Sequence, residues 1–63
     1  MNNWLFEILT GEMEGELFFV QEETLAQAKK TMRREFPNRE TTWAVNKKPF
    51  TDEEAEMLGY DTF

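Results

Sequence analysis

Residues 3–22 read NWLFEILTGEMEGELFFVQE, and this stretch decides the fold. Apolar residues alternate along its first part, and Gly11 and Gly15 then bracket a five-residue connection before a second apolar run. Alternation with a period of two is typical of a strand, and a short connection that contains glycine favours a hairpin. We therefore predict two antiparallel strands over residues 3–10 and 16–22.

This hairpin gives the sheet two faces. A five-residue connection places Thr10 opposite Glu16, and directly paired residues point to the same side of the sheet. One side, called face one, carries Trp4, Phe6, Ile8, Phe18 and Val20. The other side, called face two, carries Leu5, Leu9, Leu17 and Phe19 together with Glu7 and Gln21. We predict that face one is the core side. Face two is more apolar than a solvated sheet face usually is.

A helix follows the hairpin. Thr24 stands three residues before Gln27, which is the spacing of a capping box at a helix start. Apolar residues then recur at spacings of three and four, which predicts one apolar stripe along the helix. That stripe consists of Leu25, Ala28, Met32 and Phe36. Pro37 predicts the end of the helix.

The last part of the chain predicts a third strand over residues 41–47 and a short helix over about 52–58, which Gly59 closes. The element order is therefore ββαβα. A right-handed crossover brings the third strand back beside the first. We predict a single α+β domain over residues 1–63, with a three-stranded antiparallel sheet of order 2-1-3. The long helix packs on face one, and the short C-terminal helix lies beside it.

The amino-acid composition argues against catalysis and against a metal site. The 63 residues include no cysteine, no histidine and no serine, so the usual nucleophile–base pairs and zinc sites cannot be assembled. A chain this short also has little interior in which to raise the pKa of a carboxyl group. We expect no enzyme, no metal, no cofactor and no small-molecule substrate. No apolar run approaches the length needed to cross a bilayer, so we expect a cytoplasmic protein without a membrane contact.

Charge is segregated along the chain. Residues 1–28 carry six acids and no base, residues 29–48 carry seven bases and two acids, and residues 49–63 carry five acids. The three blocks have charges of −6, +5 and −5, which sum to the net charge of −6. The basic block 29–48 raises the alternative of a nucleic-acid-binding protein, with phosphate contacts from Lys29, Lys30, Arg33 and Arg34.

We disfavour that alternative, because the overall acidity repels a polyanion. A second alternative is an acidic mimic of DNA that blocks the basic groove of a nucleic-acid-binding protein by complementarity. The 13 acidic residues permit this function, but solubility alone also favours acidic surfaces.

The function that the sequence favours is a small acidic protein–protein interaction module. Its candidate surface is Leu5, Leu9, Leu17 and Phe19 on face two, since exposing four large apolar side chains is costly in so small a domain. Three occupants are open: the C-terminal segment with Met57, Leu58, Tyr60 and Phe63, a second copy, or another protein. We predict a homodimer, because a two-fold axis places the same patch on both sides of an interface.

Overall fold

The protein has the α+β class that the sequence predicts. The computed structural model describes residues 1–62. Its elements in chain order are β1 (Asn2–Thr10), β2 (Leu17–Glu22), α1 (Leu25–Glu35), β3 (Thr42–Val45), α2 (Asp52–Leu58) and β4 (Asp61–Thr62). The strands form one sheet with the order β3-β1-β2-β4.

The predicted three-stranded antiparallel sheet is wrong in strand number and in pairing, because within residues 1–62 the sheet has four strands and is mixed. The first three strands have the predicted order, and β1 pairs antiparallel with both of its neighbours. The short β4 adds to the outer edge of β2 in parallel. Gly59 makes this possible, because its φ of 72° lets α2 end in a left-handed cap that redirects the chain to β2.

The predicted hairpin register is also wrong, by two residues. Phe6 pairs with Phe18 instead of Val20. The loop of the hairpin begins before Thr10, because the Gly15 N–H donates a hydrogen bond to the Ile8 carbonyl. The end of β1 pairs with β3 instead of β2. A shift of two residues keeps every side chain on its predicted face.

Face one holds the core, as the sequence predicts. The five predicted residues of this face are buried with Ala28 and Met32 of α1, and Leu25 and Phe36 pack against them. The helix begins at the predicted capping box, because the Thr24 hydroxyl accepts a hydrogen bond from the Gln27 N–H at 3.2 Å.

The second helix lies on the other side of the sheet from the predicted position. We expected α2 beside α1, which would leave face two uncovered. Instead, Phe50 pairs with Asn3 through two backbone hydrogen bonds of 2.8 and 3.2 Å, so the chain reaches the far end of β1 before α2 begins. Asn3 belongs to face two, and α2 therefore packs there. In the part of the chain that the structure describes, the sheet has one helix on each face.

Candidate functional site

Phe19, the largest residue of the predicted partner surface, is covered within the chain. Its side chain has no exposed area. The ring of Phe50 lies 5.5 Å from it in an edge-to-face arrangement, and the ring of Tyr60 lies 6.0 Å away. Phe19 therefore belongs to a second, smaller apolar cluster between face two and the segments that flank α2.

Asn3 fixes α2 over this cluster. Its side chain is buried, and Nδ2 donates to the Asp52 carboxylate at 2.7 Å and to the Phe50 carbonyl at 3.2 Å. Asp52 is the first residue of α2, so one amide holds the start of the helix against β1. Among residues 1–62, Asn3 Oδ1 is a buried side-chain oxygen without a hydrogen-bond partner.

The other half of face two is open. Leu5 and Leu17 are half-buried, and Ala44 beside them on β3 is exposed. The paired residues of this region place Glu7 between Ala44 and Leu17, with its side chain exposed. These residues border one shallow groove, and we call Leu5, Glu7, Leu17 and Ala44 the open patch.

Leu9, the fourth predicted partner residue, does not share a regular register with the patch. The ladder between β1 and β3 is irregular between Ile8 and Thr10, and Leu9 is the residue at that irregularity. Its side chain is 45% exposed. The structure therefore brings Leu5 and Leu17 together, buries Phe19 and leaves Leu9 at the hairpin end.

A second exposed apolar spot lies on α2. Met57 and Leu58 are exposed, and they border a small depression together with Phe50 and Glu54. Of the residues named in the alternative that the C-terminal segment covers face two, Tyr60 lies against Phe19, whereas Met57 and Leu58 are exposed. Phe63, which was part of the same expectation, lies outside the described residues.

The four cations of α1 do not form one stripe. Lys30 and Arg34 are exposed on the side of the helix opposite to the buried Ala28 and Met32. Arg34 lies 3.9 Å from the Glu35 carboxylate, and this exposed pair is of little energetic weight. Lys29 and Arg33 lie one helical turn apart on another flank of α1, and Arg33 borders a groove beside β3.

Arg33 borders a groove between α1 and β3 that also contains an aromatic ring. Trp43 and Phe36 line this groove with Arg33, and Trp43 is half-buried. The indole is held in place because its ring meets that of Phe6 edge to face at 5.2 Å. Sequence reasoning missed this combination because it paired the cations with one another and not with β3.

The carboxylates form no metal site in the described part of the chain, where no three of them cluster as ligands. Glu54 instead completes the capping box of α2. The Thr51 backbone N–H donates to Glu54 Oε1 at 3.1 Å and holds the pKa of this carboxyl below its ordinary value, with smaller contributions from the Thr51 hydroxyl and from Lys48. This carboxyl group therefore takes part in the N-terminal cap of α2.

Comparisons of the chain with protein-family models, curated proteins and solved structures found no match. Within residues 1–62, neither helix is long and apolar enough to cross a membrane. The geometry of the surfaces above is therefore the basis for a functional proposal.

Proposed function

We propose that this chain is a non-enzymatic protein–protein interaction module that binds through the open patch of face two. The observation that supports the proposal is the uneven coverage of the sheet. One end of face two is covered by Phe50, Tyr60 and α2. At the other end, Leu5 and Leu17 stay partly accessible to solvent. Apolar area of this kind gains about 25 cal/mol per Å² when a partner covers it.

The open patch combines apolar side chains with one acidic side chain. Glu7 stands within the apolar surface, and an exposed carboxylate there favours a partner that brings a cation to it. A partner surface with a basic residue surrounded by aliphatic side chains would satisfy both parts of the patch.

A second copy of the chain is one such partner, and we retain the homodimer as a proposal. Phe19 is buried by its own chain, so the dimer has less apolar area to cover than the sequence suggested. A two-fold axis at the patch also brings two Glu7 carboxylates near each other, which opposes association. We therefore propose a weak dimer, with a dissociation constant in the micromolar range.

Position-dependent photo-crosslinking tests the interaction in the native host. A photoreactive phenylalanine analogue at Leu17 should give a discrete crosslinked product that appears only on irradiation. The matched control carries the same analogue at Arg34, which is exposed on the opposite side of the molecule. Equal products from both positions, or none from Leu17, would contradict the proposal.

Sedimentation equilibrium tests the homodimer separately. The native chain should show a concentration-dependent mass between monomer and dimer, and Leu17→Asp should remain monomeric. A constant monomeric mass up to high micromolar concentration would exclude the homodimer and leave a different protein as the partner.

A further inference from the structure

The outer edge of β3 is unpaired in the described part of the chain, since β3 is the first strand in the sheet order. The Asn46 N–H donates to the Leu5 carbonyl at 3.0 Å. Counting back from Asn46, every second residue of β3 therefore directs its backbone N–H and C=O toward β1. In an antiparallel ladder the intervening residues point the other way. Trp43 and Val45 therefore present their N–H and C=O groups at the free edge.

This edge adjoins the groove that contains Arg33. The groove is lined by Arg33, Trp43 and Phe36, and Lys29 lies one helical turn before Arg33 on α1. Further cations bracket β3 in the sequence, with the exposed Arg39 before it and the exposed Lys47 after it. A strand that adds to β3 would therefore have Arg33 beside it and a cation near each end of β3.

We propose that the free edge of β3 binds an extended acidic segment of another protein by strand addition. Backbone hydrogen bonds to Trp43 and Val45 would supply the pairing, and a carboxylate of the segment would meet Arg33 in the groove. This surface is distinct from the open patch and goes beyond the function proposed above.

Charge complementarity selects this occupant over a second copy. If two β3 edges paired antiparallel, the Arg39 end of each strand would lie beside the Lys47 end of the other, and like charges would repel. The same cations and the short length of β3 protect the edge from uncontrolled pairing. An acidic strand turns that repulsion into attraction.

The basic surface beside β3 is small. Glu35 and Glu40 line the neighbouring groove on the hairpin side of Phe36, together with Glu12. The basic character is therefore confined to the side of Phe36 that faces Trp43, a stretch suited to one short strand. A long polyanion would meet the acidic groove as well, which is why we propose a peptide segment and not a nucleic acid.

Titration with labelled octapeptides tests the proposal. A peptide that alternates glutamate and valine should bind saturably, and its affinity should fall as salt rises. A peptide that alternates lysine and valine should bind at least about tenfold more weakly. Single-stranded oligothymidylate is the third probe, and tighter binding of that probe than of the acidic peptide would overturn the proposal.

Amide hydrogen exchange locates the binding site. The Trp43 and Val45 amides should exchange fast in the free protein and slow at least about tenfold with the acidic peptide, as expected for newly paired strand amides. The Ala44 amide, which already faces β1, should change little. Absence of peptide binding, or protection confined to other elements, would overturn the proposal.

One matched pair of variants and a third variant separate this surface from the others. Arg33→Glu should weaken binding of the acidic peptide about tenfold, whereas Arg34→Glu, the same charge change on the outward side of α1, should have little effect. Leu17→Asp in the open patch should also leave peptide binding unchanged. Equal losses for Arg33→Glu and Arg34→Glu would show long-range charge attraction without a docked strand and would overturn the proposal.

Discussion

Asn3 Nδ2 donates a hydrogen bond of 2.7 Å to the Asp52 carboxylate, and this contact joins residues 49 positions apart. It is buried on the Asn3 side and fixes the first turn of α2 to β1. Because α2 and the segments beside it cover Phe19, the contact also decides which half of face two is accessible.

We predict a coupling energy of about 1 kcal/mol between these two residues, the usual net contribution of a hydrogen bond or slightly more. Asn3→Ala, Asp52→Ala and the double variant form the cycle, and urea denaturation gives the three free energies of unfolding. Losses that simply add would show that the two side chains do not interact in solution.

Phe19→Ala should destabilise the domain by about 3–5 kcal/mol, because a fully buried aromatic side chain leaves a cavity. That loss is comparable to the whole stability expected from a core of this size. Leu5→Ala is the control on the same face, and its loss should be smaller because Leu5 is only half-buried. Equal urea midpoints for the Phe19→Ala variant and the native chain would contradict the observed cover.

The same observation changes the expected result for Phe19→Asp. On the sequence alone, this variant should be a folded but monomeric and less stable protein, or an unfolded one if dimerisation is obligatory, because the sequence predicts Phe19 at a dimer interface. In the structure, a carboxylate at this position would be buried between Phe50 and Tyr60 without a partner. We therefore expect an unfolded protein, and circular dichroism checks this directly.

Local signals in the sequence were sufficient for both helices and for the two faces. Thr24 and Thr51 mark helix starts through contacts within one turn, so no distant residue is needed to predict them. The predicted faces are correct although the predicted register is wrong. Phe6 pairs with Phe18 and not with Val20, and this shift of two residues leaves each side chain on its predicted face. The alternation of residues along a strand determines which face of the sheet each side chain lies on, whereas the turn determines which residues of the two strands are paired.

Apart from the hairpin register, the features that the sequence did not predict depend on distant contacts. The side of the sheet on which α2 packs is decided by the bridge between Asn3 and Phe50, and the sequence gives no periodic signal for a single pair of this kind. The strand β4 has two residues, too few for alternation to be recognised. The groove at Trp43 arises because Arg33 reaches toward a strand that follows it in the chain, so helical periodicity alone could not reveal it.

Thr24→Ala should cost about 0.5–2 kcal/mol, since the Thr24 hydroxyl accepts from the Gln27 N–H at the start of α1. Thr24→Ser keeps the hydroxyl and should retain most of the stability. Urea midpoints of the three proteins check this prediction. If serine and alanine destabilise equally, the loss reflects the methyl group of threonine and not the cap.

The capping box of α2 should respond to acid through Glu54, whose pKa is lowered mainly by the hydrogen bond from the Thr51 N–H. A carboxyl with a lowered pKa in the folded state stabilises the fold above its ordinary pKa, and this stabilisation is lost as the pH falls through the lowered value. Glu54→Gln keeps an acceptor oxygen and removes the titration. Its stability should therefore depend less on pH in the acidic range, measured by urea melts at several pH values. Glu53→Gln, outside the capping box, is the control, and identical profiles for both variants would contradict a specific role for Glu54.

Duplex DNA should not bind with submicromolar affinity at physiological salt, although seven cations lie in one block of the sequence. The structure divides the cations of α1 between two sides, with Lys30 and Arg34 facing outward and Arg33 in the groove beside Trp43. A duplex that follows one side meets few of them, and the net charge of −6 repels it at long range. Fluorescence polarisation with a labelled duplex at two salt concentrations measures this. Tight binding that weakens steeply with salt would contradict the prediction, because that dependence is the signature of several simultaneous phosphate contacts.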